Sequence, residues 1–192
     1  QGRLGKTVSA RFVSNSYLPD WRPRQDYRLS VSASKEFGGG VLLELSHEID
    51  MALSLLGPFD SVQADAGNTG ALQISVEDYA TLRLKNTEGV DVVVELDFSS
   101  KLPTRLVEIQ GDAGRIVWDL LQNTVQLRDI GGLTEIQFTD RREDWFRKQL
   151  KHFFEIVDGA NKPVAGLDDG IAVLNVIDAA RESAQLGVPV SL

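Results

Sequence analysis

Cysteine is absent from the 192 residues, which excludes disulfides and thiolate metal sites and fits a reducing compartment, so a cytoplasmic protein is expected. Histidine is scarce, with two in the whole chain, and imidazole chemistry therefore has few places to be. Positive charge is in short supply as well: 20 Lys and Arg stand against 28 Asp and Glu, a net charge of -8. That balance makes nucleic acid and anionic membrane surfaces poor partners and points to a small molecule or another protein. No apolar run approaches the ~20 residues that span a bilayer, and the N-terminus lacks the basic-then-apolar stretch of a secretion signal. A soluble protein with neither a nucleic-acid nor a membrane partner is expected.

What is present suffices for one core. Hydrophobic residues make up 42% of the chain, and the length suits one domain over residues 1–192 better than two. The chain opens on Gln1 and runs straight into alternation by Phe12, a hint that it continues a longer protein.

Between Thr7 and Ser14 the alternation of Val8, Ala10 and Phe12 with Ser9, Arg11 and Val13 predicts a strand with one buried face. Residues 17–35 have no sustained period but carry Trp21, two tyrosines and the basic residues Arg22, Arg24, Arg28 and Lys35, so an ordered excursion is expected there. After Gly38-Gly39-Gly40, the residues Leu42, Leu45, Ile49, Ala52, Leu53 and Leu56 fall on one arc at 100° per residue, which predicts a helix over 41–56. Gly57-Pro58 should end it, the glycine by tolerating left-handed geometry and the proline by lacking a donor. From Asp60 to about Phe138 seven short alternating runs follow, broken at Asn86–Gly89, Gly111–Gly114 and Gly131-Gly132, breaks that suit hairpins. Two helices close the chain: one over roughly 142–158, the other starting near Asp168, where Asp168 and Asp169 favour a helix start.

The predicted architecture is α+β, a large, mainly antiparallel open-faced sheet with helices packed on one face. The run Asp91–Leu96 is apolar enough on both sides, through Val92, Val94 and Leu96 and through Val93, to expect a second covered face and a homo-oligomer formed through the sheet.

His47 is the leading candidate for chemistry. It lies on the less apolar arc of the 41–56 helix, near Glu44, Asp50 and Ser54. A carboxylate three residues away on the same face would hold one tautomer and stabilise the cation; a purely structural histidine is the competing reading. A zinc-protease reading of His47-Glu48-Ile49-Asp50 fails, because Met51 stands where a second histidine is required, so no metal site is expected. Gly38-Gly39-Gly40 lacks the spacing of a phosphate-binding loop and reads as a flexible helix entry. With no dinucleotide fingerprint elsewhere, the chain alone is not expected to bind a cofactor. Trp21, Arg22, Arg24, Tyr27, Arg28 and Lys35 have the chemistry to bind a carboxylated or phosphorylated sugar, Arg forks on the anion and an aromatic ring on the sugar face; a solvated loop is the alternative.

The segment GGGVLLELSHEIDMALSLLG, residues 38–57, resembles the hallmark of the glucose-fructose oxidoreductase, inositol dehydrogenase and rhizopine-catabolism (Gfo/Idh/MocA) family. GRLGKTVSARF resembles the start of the family's second domain, GDAGRIVWDL its mid-sheet hairpin, and the last fifty residues its closing helices. The resemblance implies a substrate-binding and oligomerisation domain whose partner, an N-terminal dinucleotide-binding domain carrying NAD or NADP and a catalytic lysine, is missing from this chain. It implies that the intact protein oxidises a sugar, sugar nucleotide or polyol by hydride transfer, and that His47, which matches the family's histidine, takes the hydroxyl proton. The isolated chain is then expected to be inactive, and a non-catalytic binding or assembly module on the same fold is the alternative. In the family's commoner pattern an aspartate stands four residues before that histidine; here Glu44 stands three before it, leaving Glu44 and Asp50 as competing carboxylates.

Overall fold

The computed structural model describes residues 2–192. Its frame is one nine-stranded sheet. The strands are β1 (Thr7–Tyr17), β2 (Ser61–Gly67), β3 (Tyr79–Lys85), β4 (Asp91–Asp97), β5 (Ser99–Gly111), β6 (Gly114–Asp119), β7 (Thr124–Asp129), β8 (Gly132–Gln137) and β9 (Val190–Ser191). Across the sheet they run β8-β7-β6-β5-β1-β4-β3-β2-β9. All seven alternating runs after Asp60 are strands. β9 adds a two-residue edge that periodicity cannot detect.

β1 is the spine. It pairs antiparallel with β5 on one side and parallel with β4 on the other. The parallel contact is the exception in a sheet otherwise built of antiparallel neighbours. It exists because the chain, after the excursion and two helices, re-enters the sheet at β2 parallel to β1, and two hairpins then bring β4, again parallel, to its side.

Alternation then decides the core. Phe12 of β1, Leu82 and Leu84 of β3, Val92, Val94 and Leu96 of β4 and Val107 of β5 are all buried on the helix-covered face. The covering helices are α1 (Val41–Glu44), α2 (Ser46–Leu56) and α4 (Leu167–Leu186), which contribute Val41, Leu42, Ile49, Ala52, Val176, Ile177 and Ala180 to the same cluster. The fourth helix, α3 (Arg142–Val157), buries no residue; Phe146, Leu150, Phe153 and Val157 share an apolar stripe that stays exposed. Among the described residues no helix is long and apolar enough to cross a membrane.

The open face of the sheet differs from expectation. Val92, Val94 and Leu96 are covered by the chain's own helices, while the opposite face carries charge: Arg11 donates to both oxygens of Glu95, at 2.9 and 2.6 Å, and Arg115 pairs with Glu108 at 2.7 Å. Val93, Leu106 and Val117 lie on that face among these charges, so it is mixed rather than uniformly apolar.

Two local differences matter for the site. The helix expected over 41–56 breaks at Leu45 (φ -105°, ψ 22°) into α1 and α2. The break falls where the spacing from carboxylate to histidine is one residue short of the family pattern. Gly57 ends α2 in an extended conformation (φ -77°, ψ 178°) rather than a left-handed one; the left-handed cap is Gly187, after α4.

The triple glycine is a packing device, not a flexible entry. Gly39 and Gly40 donate to the carbonyls of Ser34 and Ser32, and a Cβ on Gly39 would lie 2.3 Å from the Val31 carbonyl oxygen. That close approach docks the 17–35 excursion against the start of α1. Gly39→Ala is therefore expected to destabilise the protein by roughly 1–3 kcal/mol, the range for forcing atoms into packed space; a urea midpoint equal to wild type would show that the loop backbone yields freely.

Candidate functional site

α2 places His47 and Glu48 next to each other in its first turn, and they have opposite fates. The His47 side chain is 43% exposed whereas that of Glu48 has no exposure at all. The helix dictates this: Glu48 follows Leu45 by three residues and precedes Ala52 by four, so it lies on the buried arc with Leu45, Ile49 and Ala52.

An ionised carboxylate cannot stay in a core without a partner. Arg105, reaching in from β5, donates its Nε to Glu48 Oε1 at 2.7 Å. The same oxygen lies 3.3 Å from His47 Nε2. One oxygen thus ties a sheet arginine and a helix imidazole together. The second oxygen, Oε2, is buried and has no partner among the described residues. Glu48 and Arg105 were not singled out as site residues by sequence reasoning. The available signal was a glutamate on the apolar arc of an amphipathic helix; Arg105, 57 residues away, had none.

The carboxylates favoured from sequence sit elsewhere. Among the described residues, the carboxylate within ion-pairing distance of His47 is Glu48, not Glu44 or Asp50. Asp50 does line the same cleft as His47, a recess of about 400 Å³ between α2 and the start of α4 that includes Leu43, Ser46, Asp169 and Gly170. Asp169 is already engaged, accepting from the Gly166 backbone N–H at 2.7 Å and so closing the first turn of α4. Glu44 is half-buried at the end of α1 and does not line that recess.

The loop candidates form a second group. Trp21 meets Phe98 edge-on at 5.2 Å and donates its indole N–H to Ser16. Tyr27 donates its hydroxyl to the Leu72 carbonyl. Arg28 is spent on Asp26, donating from Nε and Nη2 at 2.9 and 2.7 Å. Arg22, Arg24 and Lys35 are exposed. The hollow that Trp21, Arg22 and Tyr27 share has room of about 10 Å³, near the size of one water and too small for a sugar ring. The structure brings His47 and Asp50 together, and separately Trp21, Arg22 and Tyr27; the two groups share no cleft.

No curated protein matches the chain by sequence. The family model described as "Oxidoreductase family, C-terminal alpha/beta domain" matches residues 1–192. The chain belongs to that family, the C-terminal domain of the Gfo/Idh/MocA oxidoreductases. Among solved structures, levoglucosan dehydrogenase in complex with NADH and levoglucosan superposes with a TM-score of 0.87 at 20% identity, over 100% of this chain and 60% of that one. Aldose-aldose oxidoreductase from Caulobacter crescentus, complexed with glycerol, gives 0.82 at 22% identity over 100% and 57%. The WlbA dehydrogenase from Bordetella pertussis, in complex with NADH and UDP-GlcNAcA, gives 0.74 at 20% identity over 100% and 56%. This chain therefore spans less than two thirds of each of these relatives.

Two outcomes test the geometry. Glu48→Ala removes the partner of a cation at the core boundary and is expected to cost about 3 kcal/mol in urea unfolding, the low end for breaking a buried pair because Arg105 keeps some solvent contact; a loss below about 0.5 kcal/mol would mean that the pair holds nothing. In the loop, hydrogen bonds from the Arg28 side chain and then its backbone N–H hold the Asp26 carboxyl below its usual range. Because the folded value is depressed, the clamp contributes fully above the unfolded pKa of about 4 and is lost as pH falls through the lowered value. The Asp26 carboxyl ¹³C signal in NMR should titrate with a midpoint below the free value of about 4; a midpoint at or above it would contradict the pairing.

Proposed function

We propose that the chain is the substrate-binding and oligomerisation domain of an NAD(P)-dependent sugar, sugar-nucleotide or polyol dehydrogenase, and that His47 handles the proton of the reacting hydroxyl. The observation that carries this reading is the His47 imidazole, open to a cleft and anchored beside a fully buried Glu48. A proton acceptor needs an imidazole that borders the ligand cleft and is backed by fixed groups on its inner side. The cysteine-free composition supports a cytoplasmic setting.

The described residues do not fit a nicotinamide dinucleotide. No strand leads through a glycine-rich turn into a helix, and the one glycine cluster is occupied in packing the 17–35 excursion. The cofactor belongs to an N-terminal dinucleotide-binding domain outside these 192 residues, and the chain alone is inactive in hydride transfer. What this chain supplies is substrate orientation and the proton-accepting imidazole. The family membership also supports a homo-oligomer formed through the open sheet face, where Val93, Leu106 and Val117 lie among pairs such as Arg11 with Glu95. Trp21, Arg22, Arg24, Tyr27, Arg28 and Lys35 stay in this reading as groups able to meet substrate once the excursion is covered.

In the intact enzyme, His47→Asn is expected to lower kcat by roughly 10²- to 10⁴-fold, the worth of a positioned general base. An unchanged kcat with normal folding would instead favour a binding or assembly module in which His47 is structural.

A further inference from the structure

A larger recess than the His47 cleft lies on the other side of Arg105. It opens between the β6–β7 turn and the start of α3, measures about 830 Å³, and is lined by Arg105, Trp118, Trp145, Arg141, Arg142 and Asp140, among others. That volume is within the usual range for small-molecule sites, ~300–1,000 Å³. We propose that it binds a pyranose bearing an anionic group, with Arg105 gripping the anion and the two tryptophans contacting the ring. The proposal rests on the sugar-binding reading above and names its substrate class.

Charge points to the anion. In a protein of net charge -8, three guanidinium groups meet at this recess, and its one acidic group, Asp140, is already taken by Lys148 Nζ at 2.5 Å. Arg141 has only distant carboxylate neighbours, Glu143 at 3.9 Å and Asp144 at 4.0 Å, and Arg142 sits over the Phe146 ring at 5.7 Å. Arg105 is the best-prepared of the three. Its Nε is fixed by Glu48, while its Nη groups bond to no acceptor among the described residues. A guanidinium held by one edge presents the other as a rigid fork for two oxygens of a carboxylate or phosphate.

The ring contact has its own evidence. Trp118 and Trp145 are 36% and 47% exposed, and neither indole N–H has a protein acceptor among the described residues, in contrast to Trp21, which donates to Ser16. Exposed indoles beside arginines offer apolar faces for the C–H side of a sugar and donors for its hydroxyls. The Glu48 oxygen that holds Arg105 also contacts His47. The anion anchor and the candidate proton acceptor therefore share one support, although they line different recesses. In the loop, Arg28 is worse placed, since it is spent on Asp26.

The test follows the three indole N–H resonances of the ¹⁵N-labelled chain during titration with D-glucuronate, D-glucose 1-phosphate and D-glucose. At least one anionic sugar should shift Trp118 and Trp145, leave Trp21 in place, and bind about tenfold more tightly than glucose, as one charge-assisted fork implies. Which acid responds distinguishes a carboxylate from a phosphate. Arg105→Lys keeps a charge for Glu48 but loses the fork and should weaken binding by about tenfold. Trp145→Ala, at an exposed helix position, should weaken it without disturbing the core. Equal responses to glucose and to both acids would overturn the anionic class and leave sugar binding standing. Shifts confined to Trp21 would move the sugar to the loop and overturn the recess. Silence from all three sugars would overturn the recess alone; the sugar-binding reading rests on the His47 cleft, which no tryptophan lines, and falls only if His47→Asn leaves kcat unchanged.

Discussion

A carboxylate sealed from water sets the terms for everything near the candidate site. Glu48 is buried on α2, and water cannot neutralise the cost of its charge, so a cation must. Arg105 does so from β5, and in doing so it ties the helical layer to the half of the sheet that the helices leave uncovered. This contact fixes one edge of the Arg105 guanidinium and leaves the same Glu48 oxygen 3.3 Å from His47 Nε2. Were Glu48 an apolar residue, the helix would still pack, but the imidazole and the guanidinium would lose their common reference point.

The fold was legible to the extent that it is a matter of faces. Alternation in Val92, Val94 and Leu96 marks a strand and its buried side, and the structure keeps all three inside. Alternation carries no information about strand direction or neighbours, so the parallel β1–β4 pairing could not be read from it. Nor does helical periodicity register a single residue such as Leu45 leaving the helical path. The exposed stripe of α3 looked like any core-facing helix; periodicity tells which side seeks cover, not whether this chain supplies it.

The candidate site was legible in its imidazole and not in that group's surroundings. His47 stands out because imidazoles are rare here and because the segment around it resembles a family motif. Its carboxylate partner was sought three residues away along the helix surface, at Glu44 or Asp50, where a solvent-exposed pair would form. The contact instead involves the adjacent residue, turned inward. Such an arrangement becomes readable only when a charged residue on the apolar arc is taken as a demand for a distant counter-charge, and the identity of that counter-charge depends on sheet register. Arg105 lies opposite Ser14 of β1, a position that nothing local to either segment specifies.

That register has a temporal side. Of the nine strands in this sheet β1 is synthesised first, yet both of its neighbours arrive late: Phe12 waits for Val94 on one side and Val107 on the other. Until then both edges of an eleven-residue strand are bare, the condition in which strands pair with whatever strand is nearest. The excursion, α1 and α2 are all synthesised in that interval. Arg11, halfway along β1 and charged, is the residue best placed to make an unwanted partner unwelcome before Glu95 arrives to receive it.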